Sequence, residues 1–159
     1  MQHNPWELIN QTKTVSIASV DKSNSPHISY APFVENAKKF YICISMMAKH
    51  TQNLLNSDFV STLMIEDETT ALNLFARKRV TFDMRVDTIE RASDKFVSIM
   101  GLFRDKFGDN ADIYESMTDF QLFELTPISG RAVFGFGQAY DFKDGDFGDI
   151  SVGMGHQSK

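Results

Sequence analysis

This chain of 159 residues has one cysteine, Cys43, so it can form neither an internal disulfide nor a metal cage built of thiolates alone. Cys43 sits inside an apolar run and reads as a buried structural thiol in a reducing compartment. No apolar stretch approaches the length of a membrane span. The opening residues, Met1-Gln2-His3-Asn4-Pro5-Trp6, have neither the basic end nor the apolar middle of a secretion signal. A cytoplasmic protein without a membrane partner is the expectation. Positive charge is also scarce: 16 Lys and Arg stand against 21 Asp and Glu, a net charge of −5. With no basic cluster interleaved with aromatics, nucleic acid is not an expected partner. There is no Gly-rich phosphate loop, no GxSxG elbow, no HExxH and no CxxC pair, so ordinary hydrolase, kinase and zinc chemistry has no support.

What is present is a composition suited to one packed domain, with 42% hydrophobic residues and 14 phenylalanines. A short helix is expected after Pro5, and strands over 14–20, 27–34 and 39–45 are separated by turn residues. A helix is expected over 48–56. The run 59–65 is almost wholly apolar and reads as a strand that is buried on both faces or central in a sheet. Over 79–86, Val80, Phe82, Met84 and Val86 alternate with polar residues, the clearest period of two in the chain. From Ser93 the period becomes helical: Phe96, Ile99, Met100, Phe103 and Phe107 share a face, with Ser93 as cap and Gly108 as stop. A second helix over 109–117 and strands over 120–125 and 131–142 complete the pattern. The fold class is therefore mainly β (α+β): about six antiparallel strands in a closed or partly closed barrel with inserted helices. Residues 1–143 form this domain, and the acidic, Gly-dotted remainder, 144–159, reads as a flexible tail.

That tail carries His156 between Gly155 and Gln157. Either it is an incidental surface histidine, or it is an imidazole on a tether, presented to a metal centre on the body. Arg77-Lys78-Arg79 is the most basic word in the chain. It suits an anionic ligand or, equally, a strand edge protected against aggregation. Lys49 and His50 open a helix, where backbone amides can hold an anion or simply face water. Asp119 follows Met117-Thr118 and reads as a turn or capping residue. His27 reads as structural and His3 as a mobile terminal residue.

Several colinear words carry a resemblance that spans nearly the whole chain. They include Ser25-Pro26-His27-Ile28-Ser29-Tyr30-Ala31-Pro32-Phe33, Ala48-Lys49-His50-Thr51-Gln52-Asn53-Leu54-Leu55 and Asn73-Leu74-Phe75-Ala76-Arg77-Lys78-Arg79-Val80-Thr81-Phe82. Thr118-Asp119-Phe120 and Gly135-Phe136-Gly137-Gln138-Ala139 extend them. In these words the chain resembles the HugZ/HutZ-type heme-utilisation proteins of the pyridoxamine-phosphate-oxidase-like split-barrel flavoproteins. The resemblance implies a homodimeric split barrel that binds heme between subunits and opens the porphyrin with oxygen, releasing iron. Heme is then both substrate and cofactor, and electrons come from an external donor. It further implies His156 as the proximal ligand of the heme iron and Asp119 as the carboxylate beside it. His50 lies near that carboxylate, and Arg79 takes part in turnover. Lys49, Arg77, Lys78 and Arg79 are the candidates for an anionic cofactor group. Two alternatives stay open: an FMN-binding oxidoreductase, and a heme carrier or store without turnover.

Overall fold

In the computed structural model, residues 1–150 are described. His156 lies outside them. The chain order is α1 (Pro5–Gln11), β1 (Thr14–Val20), β2 (Pro26–Pro32), β3 (Val34–Asn36), β4 (Lys39–Ser45), α2 (Lys49–Leu55) and β5 (Phe59–Ile65). A 3-10 turn (Leu74–Ala76), β6 (Arg79–Ile89), α3 (Asp94–Phe107), α4 (Asn110–Ser116), β7 (Phe120–Val133), β8 (Ala139–Lys143) and β9 (Asp146–Asp149) follow.

All pairings are antiparallel, in the order β2-β1-β5-β6-β7-β4-β3, with β8 and β9 continuing from the far end of β7. β2 also approaches β4, so the sheet curls into a half-barrel. β7 makes this possible by being long: its first residues pair with β4 and its last with β8, while β6 runs along its other side. The β6–β7 register shifts at Asp83/Met84, a bulge that bends the pair. At Gly130, a Cβ would lie 2.5 Å from both the Phe82 ring and the Thr81 carbonyl oxygen, so only glycine fits this crossing.

Two apolar cores flank the sheet. Inside the curl, Ile9 from α1 meets Ile17, Phe33, Phe40, Met64, Phe82 and Phe123. On the other side, Phe96, Ile99, Met100 and Phe103 of α3 cover Tyr41, Cys43 and Leu122. The helical period is satisfied as expected: the Ser93 hydroxyl accepts from the Phe96 amide at 3.1 Å, and Gly108 ends the helix with φ 69°. Likewise Val80, Phe82 and Met84 of β6 are all buried.

Five expectations are corrected or refined. The strand buried on both faces is β4, because α3 covers its outer face. β5 is instead central in the sheet, between β1 and β6, as the other half of its reading expects, and has one wet face, with Phe59 56% exposed. The single strand expected over 131–142 is broken by the loop at Gly135 and Gly137, both at positive φ, and its first part instead continues β7. Part of the expected tail is structured, since β9 pairs with β8 and buries Phe147 against Trp6, Phe82 and Phe142. His3 is held: its ring stacks on Phe134 at 5.0 Å and its Nε2 meets Gln138 Oε1 at 3.1 Å. Among the described residues nine strands form, rather than about six, because β3, β8 and β9 are short and carry little period of their own.

Candidate functional site

The sequence candidates among the described residues fall at two ends of β7. At its start, Ser45 of β4 pairs with Phe120, and the Met46 amide donates to the Asp119 carbonyl at 2.7 Å. The Phe120 amide donates to the Met117 carbonyl at 3.2 Å, closing a turn with Thr118 and Asp119 at its corners. Asp119 is thus a turn residue whose side chain is exposed. α2 begins three residues beyond Met46, which brings His50 and Lys49 to this end as well. Arg91, which sequence reasoning passed over, grips the same turn through main-chain carbonyls. No side-chain motif announces such a role, because its partners are backbone atoms.

His50 is half-buried, and its Nδ1 lies 2.9 Å from the Ser29 hydroxyl of β2. Burial, with a smaller contribution from nearby His27, holds its pKa below the ordinary histidine value. The ring is therefore neutral at pH 7. Lys49 is exposed, with its ammonium 3.9 Å from Asp21. FMN chemistry would need cations to grip a phosphate here. A neutral imidazole and a lysine beside a carboxylate do not fit that group.

The other end carries the basic word. Arg77 donates through Nε to the Glu66 carbonyl at 3.0 Å and lies 3.8 Å from Glu68. It fastens the 66–79 loop to itself. The Arg79 guanidinium donates to the Arg77 carbonyl at 3.1 Å. The Lys78 amide donates to the Glu66 carboxylate at 2.8 Å, but among the described residues neither the Lys78 ammonium nor the Arg79 guanidinium forms an ion pair. Beside them, Leu72, Leu74 and Phe75 project from the loop, Phe75 92% exposed. Phe136, 80% exposed, stands in the β7–β8 loop, next to the Arg79–Val133 pair. These apolar side chains were also missed by sequence reading, since their exposure depends on where the loop stands. The described chain ends here too, with the Ile150 amide on the Ala139 carbonyl at 3.5 Å.

The structure therefore joins Asp119, His50 and Lys49 at one end and Arg77, Lys78 and Arg79 at the other, but does not join the two groups within one chain. Between them, a groove of about 900 Å³ crosses the outer faces of β1, β5, β6, β7 and β8. Its walls include Ile28, Leu63 and Ile128, and the Arg131–Asp141 ion pair at 2.7 Å crosses it. Among the described residues, none of the sequence candidates lines this groove. Among the described residues no helix is long and apolar enough to cross a membrane.

Residues 3–134 match the family profile described as pyridoxamine 5′-phosphate oxidase. Heme oxygenase HutZ of Vibrio cholerae is 41% identical over 152 residues, which is 95% of this chain and 86% of that protein. A crystal structure of Vibrio cholerae HutZ, described as a heme storage protein, superposes with TM-score 0.74 and 41% identity, covering 77% of this chain and 87% of that one. The crystal structure of Campylobacter jejuni ChuZ superposes with TM-score 0.83 and 30% identity, over 91% of this chain and 59% of that one. The half-barrel, its strand order and these matches together show that the chain belongs to the pyridoxamine-5′-phosphate-oxidase-like split-barrel family, in its HutZ-type branch.

Proposed function

We propose that this protein binds heme and opens its porphyrin ring with oxygen, releasing iron. The observation that carries this reading is the 41% identity to heme oxygenase HutZ across almost the entire chain. The cationic end of β7 supports it. Lys78 and Arg79, whose side-chain cations form no ion pair among the described residues and which are flanked by exposed Phe75 and Phe136, suit a flat apolar dianion such as heme. His156 would supply a neutral nitrogen to the iron, and Asp119 would accept a hydrogen bond from the proton-bearing nitrogen of that ring, which would fix its tautomer and enrich the iron in electrons. Reducing equivalents come from an external donor, and the buried, unpaired Cys43 suits a reducing compartment such as the cytoplasm.

Covalent reach supports a homodimer. Ile150 lies beside Ala139, while Asp119 is at the opposite end of the 14-residue β7. Six residues beyond Ile150 span at most about 20 Å. β7 extends over about 40 Å, or about 30 Å with a right-angle bend at its bulge. In this reading His156 of one subunit meets Asp119 of the other. Exposed Ile28, Tyr30 and Phe59 on the outer sheet face suit such an association.

Heme storage without turnover is the second reading, favoured by the description attached to the Vibrio cholerae HutZ crystal structure. FMN binding has less support, given the His50 and Lys49 surroundings. Hemin and FMN titrations, followed by ascorbate and oxygen on the heme-loaded protein, separate the three. The expected result is a histidine-ligated Soret band lost in His156→Ala, and an open-chain tetrapyrrole with free iron. Tight heme binding without ring opening selects storage. An FMN complex with no heme band refutes the heme reading outright.

A further inference from the structure

We infer that Arg91 is a positioning residue for Asp119, setting the carboxylate against the heme-ligating imidazole; this rests on the role proposed for Asp119. Arg91 stands in the connection between β6 and α3, away from the groove and from every basic residue named so far. Its guanidinium is spent on main-chain oxygens that bracket Asp119. Nη1 donates to the Glu115 carbonyl at 2.7 Å, and Nη2 donates to Met117 at 2.5 Å and to Phe120 at 3.3 Å. The Met117 oxygen also closes the turn by accepting from the Phe120 amide. The cation is seated on the Phe96 ring, 4.9 Å from its centroid, and Phe96 is buried in the core beneath α3.

The turn is consequently clamped from two sides. Arg91 holds Met117 and Phe120, and the Met46 amide holds the Asp119 carbonyl between them. Every backbone oxygen from 117 to 120, except that of Thr118, is engaged, which leaves the Asp119 side chain free to project from a rigid corner. A carboxylate that tunes a ligating imidazole needs such rigidity, because its effect depends on hydrogen-bond length and direction. The planar fork of arginine can bridge three oxygens, whereas the single ammonium of lysine cannot reach them together. Arg91 touches neither heme nor its ligand. It acts through the turn.

The test uses the heme-loaded full chain with Arg91→Lys, Asp119→Asn and the double variant. Three quantities are measured: hemin affinity by Soret titration, the iron–histidine stretch of the ferrous state by resonance Raman, and the ascorbate-driven ring-opening rate. Arg91→Lys is expected to slow ring opening about tenfold, with hemin affinity changed by no more than about threefold. Its stretch should shift in the same direction as that of Asp119→Asn. The double variant should be no slower than Asp119→Asn alone, because both lesions act on one hydrogen bond. An Arg91→Lys protein with a lower melting temperature but an unshifted stretch and normal turnover overturns the inference, as does full additivity in the double variant. If Asp119→Asn is itself unaltered in stretch and rate, the proposed role of Asp119 is wrong and the positioning role falls with it. Should Arg91→Lys not accumulate as folded protein, Phe96→Leu removes the aromatic seat while keeping an apolar side chain in α3. A smaller shift in the same direction supports the inference, and an unshifted stretch overturns it.

Discussion

Glu124 of β7 is a buried carboxylate whose removal should be visible as a change in acid stability. It is 6% exposed and accepts from Lys39 at 2.8 Å, from the Tyr41 hydroxyl at 3.0 Å and from Lys95 of α3. Burial alone would raise its pKa, but the hydrogen bonds from Lys39, Lys95 and Tyr41 outweigh that and hold it at about 2, against an ordinary 4.5. Burial and the Glu124 carboxylate push the Tyr41 phenol above the usual tyrosine range, so it stays a donor throughout. A depressed carboxyl means that below pH 4.5 the unfolded chain binds a proton that the folded chain does not. Stability from this group is therefore complete above about pH 5 and is lost as pH falls toward 2. The full difference is equivalent to about 3 kcal/mol, and because the lysine side chains are 39% and 49% exposed, about 1–3 kcal/mol should be measurable. Glu124→Gln keeps the shape and removes the charge. Urea unfolding followed by far-UV circular dichroism should show the variant less stable by that amount at pH 7. The gap should close between pH 5 and pH 2, where the native carboxyl also becomes neutral. A gap independent of pH, or a variant as stable as the parent at pH 7, would refute this account of how α3 is tied to the sheet.

Two further perturbations probe the parts of the fold that the sequence alone left open. Phe147→Ala removes the β9 ring that packs on Trp6, Phe82 and Phe142, and should cost about 3 kcal/mol with altered Trp6 fluorescence; an unchanged melting temperature would return residues 146–149 to the status of a tail. Gly130→Ala places a methyl against the Phe82 ring and the Thr81 carbonyl and should cost about 1–3 kcal/mol in urea unfolding, with a neutral result excluding the close crossing of β6 and β7.

Features encoded over short distances were legible in the residues themselves. The alternation of Val80, Phe82 and Met84 is a property of one strand, and the Ser93 cap and Gly108 stop belong to one helix, so neither depends on what lies opposite. The family words likewise identified the chain's relatives without any knowledge of its contacts, and Asp119 was readable as a turn residue from its neighbours alone. Tertiary structure decided which strand is covered twice. β4 and β5 are both apolar in sequence, and only the placement of α3 over Tyr41 and Cys43 distinguishes them. It also made a strand of Asp146–Asp149, whose acidic, glycine-bearing sequence has one apolar anchor, because β8 supplied an open edge and Trp6, Phe82 and Phe142 supplied a seat for Phe147. The grouping of the site followed the same rule. Arg79 and Asp119 lie at opposite ends of β7, and Arg91 holds the Asp119 turn through backbone oxygens. A sequence specifies side chains, but where backbone oxygens converge is settled only when distant segments pack together.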